Sequence, residues 1–177
     1  MPILNKYQIL DLADEKGLFC SRLLADMGAE VIRIQAPGIP VAKVPENAGK
    51  KSVALDILKP AGRDLFQRLV RDADVLVESF PPGYLGSAGL DFSALSRINA
   101  RLIMVSITPY GQTGPYRDYK SSALISSASG GQAYICGEPG EPPLTPPGPQ
   151  AYYTAGLFAA NGILLALLQR RLSGRGQ

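Results

Sequence analysis

The chain contains no histidine, which removes the most common general base and the most common metal ligand in proteins. It has only two cysteines, Cys20 and Cys136, and two cysteines so far apart do not make a zinc site. We therefore expect no metal. Two cysteines and no signal peptide also favour a reducing compartment, so we expect a cytoplasmic protein without a disulfide framework.

The sequence also lacks a strong charge of either sign and a glycine-rich dinucleotide motif. Its 18 basic and 15 acidic residues give a formal net charge of +3, and no basic stripe with interleaved aromatic residues accompanies them. Nucleic acid is therefore not an expected partner. Residues 13–17, the first predicted turn, lack the G-x-G-x-x-G pattern that brings a backbone close to a pyrophosphate, which disfavours plain NAD or FAD binding.

A long hydrophobic run is missing as well. The most apolar stretch, residues 155–168, contains Asn161 and is shorter than the roughly 20 residues that a membrane-spanning helix needs. We interpret it as a buried helix and expect no membrane contact. With 177 residues, of which 46% are apolar, the chain is long enough for one domain with a real core.

Strand and helix patterns alternate over the first 107 residues. Residues 7–12 form an apolar run typical of a buried strand, residues 17–27 switch to a spacing near 3.6, and residues 31–34 return to extended character. Two parallel strands joined by a helix close with a right-handed crossover. The alternation therefore predicts an α/β fold, a Rossmann-like, doubly wound, mostly parallel sheet followed by a long helix.

Local signals place the later elements. Pro60 marks a helix start, where its missing N–H costs nothing, and Asp91 is a typical N-cap. We predict strands at residues 52–57, 74–80 and 101–107, helices at 60–73 and 91–99, a weakly helical segment at 121–129 and a long helix at 151–171. The long helix is expected to need a partner surface, because helices gain most of their stability from packing.

Ligands of open parallel sheets bind beyond the carboxyl ends of the strands. Those ends are predicted at residues 13–16, 35–38, 56–59, 79–82 and 108–111. Asp14 and Glu15 lie at the first of them, and a solvated turn explains these two residues more simply than a ligand contact does. Topology alone thus indicates where a site should lie, but not which residues form it.

Other candidate residues also have two explanations each. We interpret Lys50 and Lys51 as a solvated loop pair in preference to a phosphate clamp. Phe80, between a strand end and two prolines, fits a core side chain and a ligand contact equally well. Tyr152 and Tyr153 are expected to anchor the start of the long helix by packing, in preference to acting as reactive phenols.

Six motifs occur in a distinctive order. They are residues 24–32, 49–56, 73–83, 99–103, 110–116 and 173–177. The series closely resembles the amino-terminal part of the class III CoA-transferases, the CaiB/BaiF family, over essentially the whole chain. The resemblance implies a Rossmann-like CoA-binding domain at residues 1–149. Residues 150–177 would then be a long helix leading towards the remainder of the family fold, since full-length members continue well beyond this length.

The resemblance also implies an activity. Members of the family move CoA between carboxylic acids and form dimers of two ring-shaped subunits interlocked like chain links. An Asp attacks the acyl-CoA thioester and forms an acyl anhydride with release of CoA thiolate, and the reaction then passes through an aspartyl-CoA thioester. This is covalent catalysis by a carboxylate. We therefore expect acyl-CoA and a carboxylic acid as ligands, and either an interlocked homodimer or a heteromer with a paralogous subunit.

Carried across position by position, the CoA-contacting segments of the family fall at strand ends chosen above from topology, with one further residue. The residues are Asp14, Glu15, Leu55, Asp56, Ile57, Leu58, Lys59, Ser79, Phe80, Pro81 and Lys120. One family contact is absent, because the basic residue often found before the Pro-Gly after the second strand is Ala36 here. Losing a charge-assisted contact to a phosphate costs on the order of 1.5–3 kcal/mol.

The position of the family's nucleophile also differs. In the family, the nucleophilic Asp lies a few residues before a glycine that opens the long helix, in a pattern like Ala-Asp-x-x-x-Gly. In that register Tyr152 occupies the Asp position and Gly156 the glycine position. A phenol is mostly protonated at neutral pH and cannot form the same anhydride. The racemase branch pairs that Asp with a His, and the lack of any His excludes α-proton racemisation for this chain.

The sequence supports three hypotheses about the function of the protein. The first is a CoA-transferase-like protein that binds CoA or acyl-CoA. The second is a non-catalytic partner subunit of a heteromeric CoA-transferase, motivated by Tyr152 at the Asp position. The third is a nucleotide-binding or assembly module without a role for CoA. The acyl group cannot be chosen from this sequence.

Overall fold

The centre of the molecule is a five-stranded parallel sheet. The computed structural model describes residues 2–40, 42 and 44–177. The strands are β1 (Gln8–Leu12), β2 (Glu30–Gln35), β3 (Lys51–Ala54), β4 (Val75–Glu78) and β5 (Ile103–Ser106). They lie in the order β3-β2-β1-β4-β5, and every neighbouring pair is parallel. The predicted doubly wound sheet is confirmed, and its topological switch point lies between β1 and β4.

Helices cover both faces of the sheet. They are α1 (Leu18–Asp26), α2 (Pro60–Asp72), α3 (Tyr84–Ser87), α4 (Phe92–Ile98), α5 (Ala123–Ser129) and α6 (Gln150–Ser173), with a 3₁₀ turn at Pro45–Asn47. Residues of α1 and α6 form one hydrophobic core with the sheet, and residues of α2 and α4 form the other. The chain thus has the three layers that an α/β fold requires.

Side chains of β1 alternate between the two cores. Ile9 packs with the α1 and α6 layer, whereas Leu10 and Leu12 pack with the α2 and α4 layer. Because successive strand residues point to opposite faces, Asp11 lies on the same side as Ile9. Its side chain is 0% exposed, so a carboxylate stands inside the α1 and α6 layer.

Two elements differ from the sequence prediction. The third strand ends at Ala54, earlier than predicted, because Asp56 starts a turn in which its carboxylate accepts the Leu58 N–H at 3.1 Å. The one-turn helix α3 was not predicted. It follows Gly83, whose φ of +83° is readily reached by glycine, and no side chain caps its start.

Helix α6 is buried on one side only. By its length and a mean hydropathy of 1.5, α6 is long and apolar enough to cross a membrane. It nevertheless packs against α1, and its buried Arg170 pairs with Asp74 at 2.6 Å, as in a helix of a globular core. The outer side is apolar and exposed at Leu157, Phe158, Leu165, Leu168 and Leu172. The interpretation as a buried helix therefore holds only for the side of α6 that packs against α1 and the sheet.

The two edges of the sheet are unlike. All four residues of β3 are exposed, and Lys51 pairs with Glu30 of the neighbouring strand at 2.5 Å. Beside β5, the last residues of the chain run along the strand. The Met104 N–H donates to the Gln177 carbonyl at 3.0 Å, and the Gly176 N–H donates to the Ala100 carbonyl at 2.9 Å.

Candidate functional site

A cavity of about 490 Å³ opens where the carboxyl ends of β1 and β2 meet the loop after β3. Its wall is mainly apolar, with residues such as Leu12, Leu55 and Phe80. The charged lining residues are Arg33 and the acidic Asp14, Glu15 and Asp56. The position is the one that the topology predicts for a ligand site. A pocket of this size and composition is typical of small-molecule and cofactor sites.

A second cavity of about 480 Å³ adjoins the first on the β4 side. Leu12, Asp14 and Phe80 line both cavities, so these three residues form the boundary between them. The Phe80 ring stacks on Tyr84 with a centroid distance of 4.6 Å. This stacking fixes an aromatic face at the boundary.

The structure gathers most of the predicted contact residues around these two cavities. The first is lined by Asp14, Glu15, Leu55, Asp56, Ile57, Leu58 and Phe80, and the second by Asp14, Ser79, Phe80, Pro81 and Lys120. Lys59 lines neither. Its exposed Nζ lies 3.5 Å from Asp56 Oδ2. The role of each residue in binding stays a prediction.

Asp14 ties the end of β1 to the end of β4. Its N–H donates to Ser79 Oγ at 2.6 Å, and the Ser79 hydroxyl donates to Asp14 Oδ1 at 2.7 Å. The Lys16 N–H donates to the same carboxylate at 3.0 Å, and the Lys16 ammonium pairs with it. Asp14 is therefore already well supplied with hydrogen-bond donors, although its side chain is half exposed.

A buried charge cluster lies beside the first cavity. Asp11 accepts the Ser21 hydroxyl at 2.7 Å, Lys50 Nζ at 2.9 Å and Arg33 Nη1 at 3.1 Å. Lys50 Nζ also donates to the Leu18 carbonyl at 3.0 Å. One carboxylate thereby joins β1, β2, α1 and the loop before β3.

The sequence interpretation of the lysine pair is wrong for Lys50. Its side chain is only 1% exposed, whereas that of Lys51 is 73% exposed. Burial lowers the pKa of Lys50, while the adjacent Asp11 acts in the opposite direction. A signal was present, since Asp11 stands in an apolar strand run and a buried carboxylate needs a partner.

Cys20 is buried on the same side of the sheet. Burial, followed by the nearby Asp11 carboxylate, raises the pKa of its thiol to about 12. The thiol is therefore protonated at neutral pH and does not serve as a nucleophile. Within the part of the chain that the structure describes, no group of three or more His, Cys, Asp or Glu is placed to hold a metal ion.

Two tyrosines open α6 and have different surroundings. Tyr153 packs edge-on against Phe19 at a centroid distance of 5.1 Å and donates to Glu46 at 3.1 Å. This hydrogen bond to a carboxylate raises the pKa of Tyr153, so its phenol stays protonated at neutral pH. Tyr152 is half-buried, and its side chain makes no hydrogen bond to the described residues.

Gly156 brings α6 close to α1 just after these tyrosines. A Cβ at Gly156 would lie 2.9 Å from the Cys20 backbone nitrogen, so only glycine fits without movement of one helix. The close approach positions the first turns of α6, including Tyr152, against the start of α1. Helix packing thus holds Tyr152, which occupies the position of the family's nucleophilic Asp.

Glu78, at the end of β4, gives the stability of the fold a pH dependence. It is 4% exposed, and its carboxylate accepts the Phe80 N–H at 2.7 Å. Burial is the main cause that raises the pKa of Glu78 above its ordinary value of 4.5, and Asp14 adds to the shift, while hydrogen bonds from Ser106 and Phe80 oppose it. A raised carboxyl pKa contributes stability below the ordinary pKa, and that contribution is lost as the pH rises through the folded-state pKa.

We therefore expect Glu78→Gln to remove this loss. The free energy of unfolding of the variant, relative to that of the wild type, should be higher at pH 7.5 than at pH 4.5, because the amide does not ionise. Urea unfolding at both pH values measures the difference. Glu141→Gln, at an exposed loop position, is the control. Its free energy of unfolding should differ from that of the wild type by the same amount at pH 4.5 and at pH 7.5. Parallel pH profiles for Glu78→Gln and wild type would refute the assignment.

Comparison with known proteins identifies relatives along the whole chain. The profile of CoA-transferase family III matches residues 4–177. A subunit of succinyl-CoA:(R)-benzylsuccinate CoA-transferase from Thauera aromatica is 37% identical over 98% of this chain and 47% of its own length. The beta subunit of succinyl-CoA–L-malate CoA-transferase from Chloroflexus aurantiacus is 42% identical over 90% of this chain and 43% of its own length.

Solved structures agree with the sequence matches. A CaiB/BaiF family protein from Brucella suis superimposes with a TM-score of 0.91 and 33% identity, over 99% of this chain and 51% of that protein. The chain thus spans about half the length of the relatives that it matches. With residues 4–177 matched and the parallel sheet shared, the chain belongs to CoA-transferase family III, the CaiB/BaiF family.

Proposed function

We propose that this chain binds CoA or an acyl-CoA across the two adjoining cavities and works in a CoA-transferase that moves CoA between carboxylic acids. One observation carries the proposal: predicted contact residues from separate strand ends surround two cavities that share Asp14 and Phe80. A long cofactor with a nucleotide end and a pantetheine arm suits two connected spaces better than one. Residues 1–149 would supply this surface, and residues 150–177 would lead towards the remainder of the family fold.

We further propose that the chain is the non-catalytic subunit of a heteromer and that a paralogous subunit supplies the nucleophilic Asp. Tyr152 stands at the Asp position, and its phenol has no hydrogen-bond partner among the described residues that would accept its proton. Two relatives are themselves named as subunits, one of a benzylsuccinate and one of a malate CoA-transferase. The subunits would interlock as in the family, in the cytoplasm, with acyl-CoA and a carboxylic acid as substrates.

One observation favours a second candidate, in which the chain is active alone. Asp14 lines both cavities and is a carboxylate. Its oxygens, however, accept from Ser79 and Lys16, and such charge-assisted contacts reduce the availability of a carboxylate for attack. The partner-subunit proposal therefore takes precedence, and Asp14→Asn tests the alternative.

We expect CoA exchange between a labelled acid and succinyl-CoA only when this protein is mixed with a paralogue that carries the Asp. Tyr152→Phe should leave turnover of the mixture unchanged, because the phenol takes no part. Tyr152→Asp should give the protein some turnover on its own, since a carboxylate then stands at the nucleophile position. The measurement uses the whole polypeptide as it occurs in its host, alone and with each neighbouring paralogue.

Other results would redirect the proposal. Turnover by the protein alone that Tyr152→Phe abolishes would make the phenol functional and remove the partner-subunit reading. Turnover by the protein alone that only Asp14→Asn abolishes would assign the chemistry to Asp14. Calorimetry tests the third hypothesis, a nucleotide-binding or assembly module without a role for CoA. Tighter binding of NAD than of CoA would favour it.

A further inference from the structure

The buried charge cluster contains two cations and one carboxylate. The side chains of Asp11, Lys50 and Arg33 are 0%, 1% and 15% exposed. Among the described residues, Asp11 is the only acidic group that forms an ion pair with either cation. The cluster therefore carries one positive charge in excess. Burying an unbalanced charge is unfavourable, and an anion at this place would offset it.

Arg33 is the cation of this cluster that reaches the first cavity. Its Nη1 donates to Asp11 Oδ1 and to the Ala13 carbonyl, which fixes the guanidinium against the end of β1. Arg33 is one of the residues that line the cavity, and its Nε is buried without a partner within residues 2–40, 42 and 44–177. Arg33 thus keeps donor capacity that the neighbouring protein groups do not use.

The charges that line the first cavity make Arg33 important for the binding of an anion. Its acidic lining residues are Asp14, Glu15 and Asp56. Arg33 is the only basic residue that lines it among those that the structure describes. Ala36, where the family often has a basic residue, also lines this cavity and is exposed. Among the described lining residues, every charged group other than Arg33 is acidic and would repel a phosphate.

We propose that Arg33 recognises a phosphate group of the ligand in the first cavity and takes over the contact that is missing at Ala36. Asp11 and Lys50 act as positioning residues, because Asp11 holds Arg33 Nη1 while Lys50 holds Asp11. Arginine suits this task, since its planar fork matches phosphate oxygens. The inference rests on the proposed CoA function and names the side chain that would discriminate CoA from its phosphate-free part.

Calorimetry of the whole polypeptide with CoA, 3′-dephospho-CoA and pantetheine tests the proposal. We expect Arg33→Gln to weaken CoA binding by about 10- to 100-fold and to leave pantetheine binding unchanged. If Arg33→Gln loses affinity only for CoA, Arg33 contacts the 3′-phosphate. If it loses affinity equally for CoA and 3′-dephospho-CoA, Arg33 contacts the diphosphate. Arg33→Gln leaves Asp11 and Lys50 as a balanced pair, so the fold is expected to persist.

Three further variants complete the design. Arg33→Lys keeps the positive charge but lacks the planar guanidinium fork, so it should lose less affinity for CoA than Arg33→Gln does. If Arg33→Gln fails to fold, Arg33→Lys is used instead to compare CoA with pantetheine binding. Ala36→Arg added to Arg33→Gln should restore CoA binding. Arg22→Gln, which removes a cation that pairs with Asp26 on α1 and lines neither cavity, should bind CoA normally.

Two results would overturn the inference while leaving the proposed function intact. One is CoA binding by Arg33→Gln that equals the wild type. The other is an equal loss of CoA and pantetheine, which would indicate a purely structural role. A wild-type protein that binds no CoA would instead overturn the proposed function itself.

Discussion

Replacement of Asp11 by Asn is expected to lower the free energy of unfolding by about 3–5 kcal/mol, because it leaves two buried cations without a counter-charge. The substitution keeps the side-chain shape and one acceptor oxygen, so packing changes little. Lys50, at 1% exposure, cannot regain water in the folded state. Urea unfolding at neutral pH measures the loss.

Asp26→Asn is the matched control for this variant. Asp26 also pairs with an arginine, Arg22, at 2.7 Å, but the pair is exposed on α1. Exposed pairs contribute only about 0.3–0.5 kcal/mol, so the same chemical change should have a small effect there. Similar losses for the two variants would show that burial of the Asp11 cluster is unimportant.

Gly62→Ala is expected to destabilise the protein by about 3 kcal/mol, near the top of the range for overpacking. A Cβ at Gly62 would overlap the Asp56 carbonyl oxygen, which belongs to the backbone and cannot rotate away. The loop from Asp56 to Leu58 lines the first cavity, so CoA affinity should fall together with stability. Thermal unfolding and calorimetry measure the two effects.

Gly162→Ala is the control for this second variant. Gly162 also lies inside a helix, but apart from its chain neighbours and the backbone of its own helix, no described atom lies within 4 Å of the position that its Cβ would take. Alanine favours helix over glycine by about 1 kcal/mol, so this variant should be as stable as the wild type or more stable. Stabilisation by Gly62→Ala would mean that the turn at Asp56 can move at little cost.

Much of the fold could be predicted because local signals and global topology agree. Asp91 was predicted as an N-cap, and its carboxylate accepts the Ala94 N–H at 2.8 Å. Pro60 begins α2 as expected. Helix α3 was missed, since a single turn after two prolines has no periodicity to detect.

Asp11 in an apolar strand run indicated a buried carboxylate, but its partners could not be predicted from local pattern. Lys50 meets Asp11 across 39 positions of sequence, and a lysine next to another lysine in a Gly-rich loop gives no sign of burial. Arg33 was likewise overlooked, because on an alternating strand a single cation looks like a solvated residue. The strand register pairs it with Asp11, and only that register reveals the contact.

The unlike edges of the sheet have a consequence for self-association. Residues at the carboxyl terminus already lie along β5, whereas among the described residues no further strand lies beyond β3. Intermolecular strand addition would therefore begin at β3. A strand of four residues that carries a charged lysine is a poor template, so we expect β3 to disfavour the addition of a strand from another molecule.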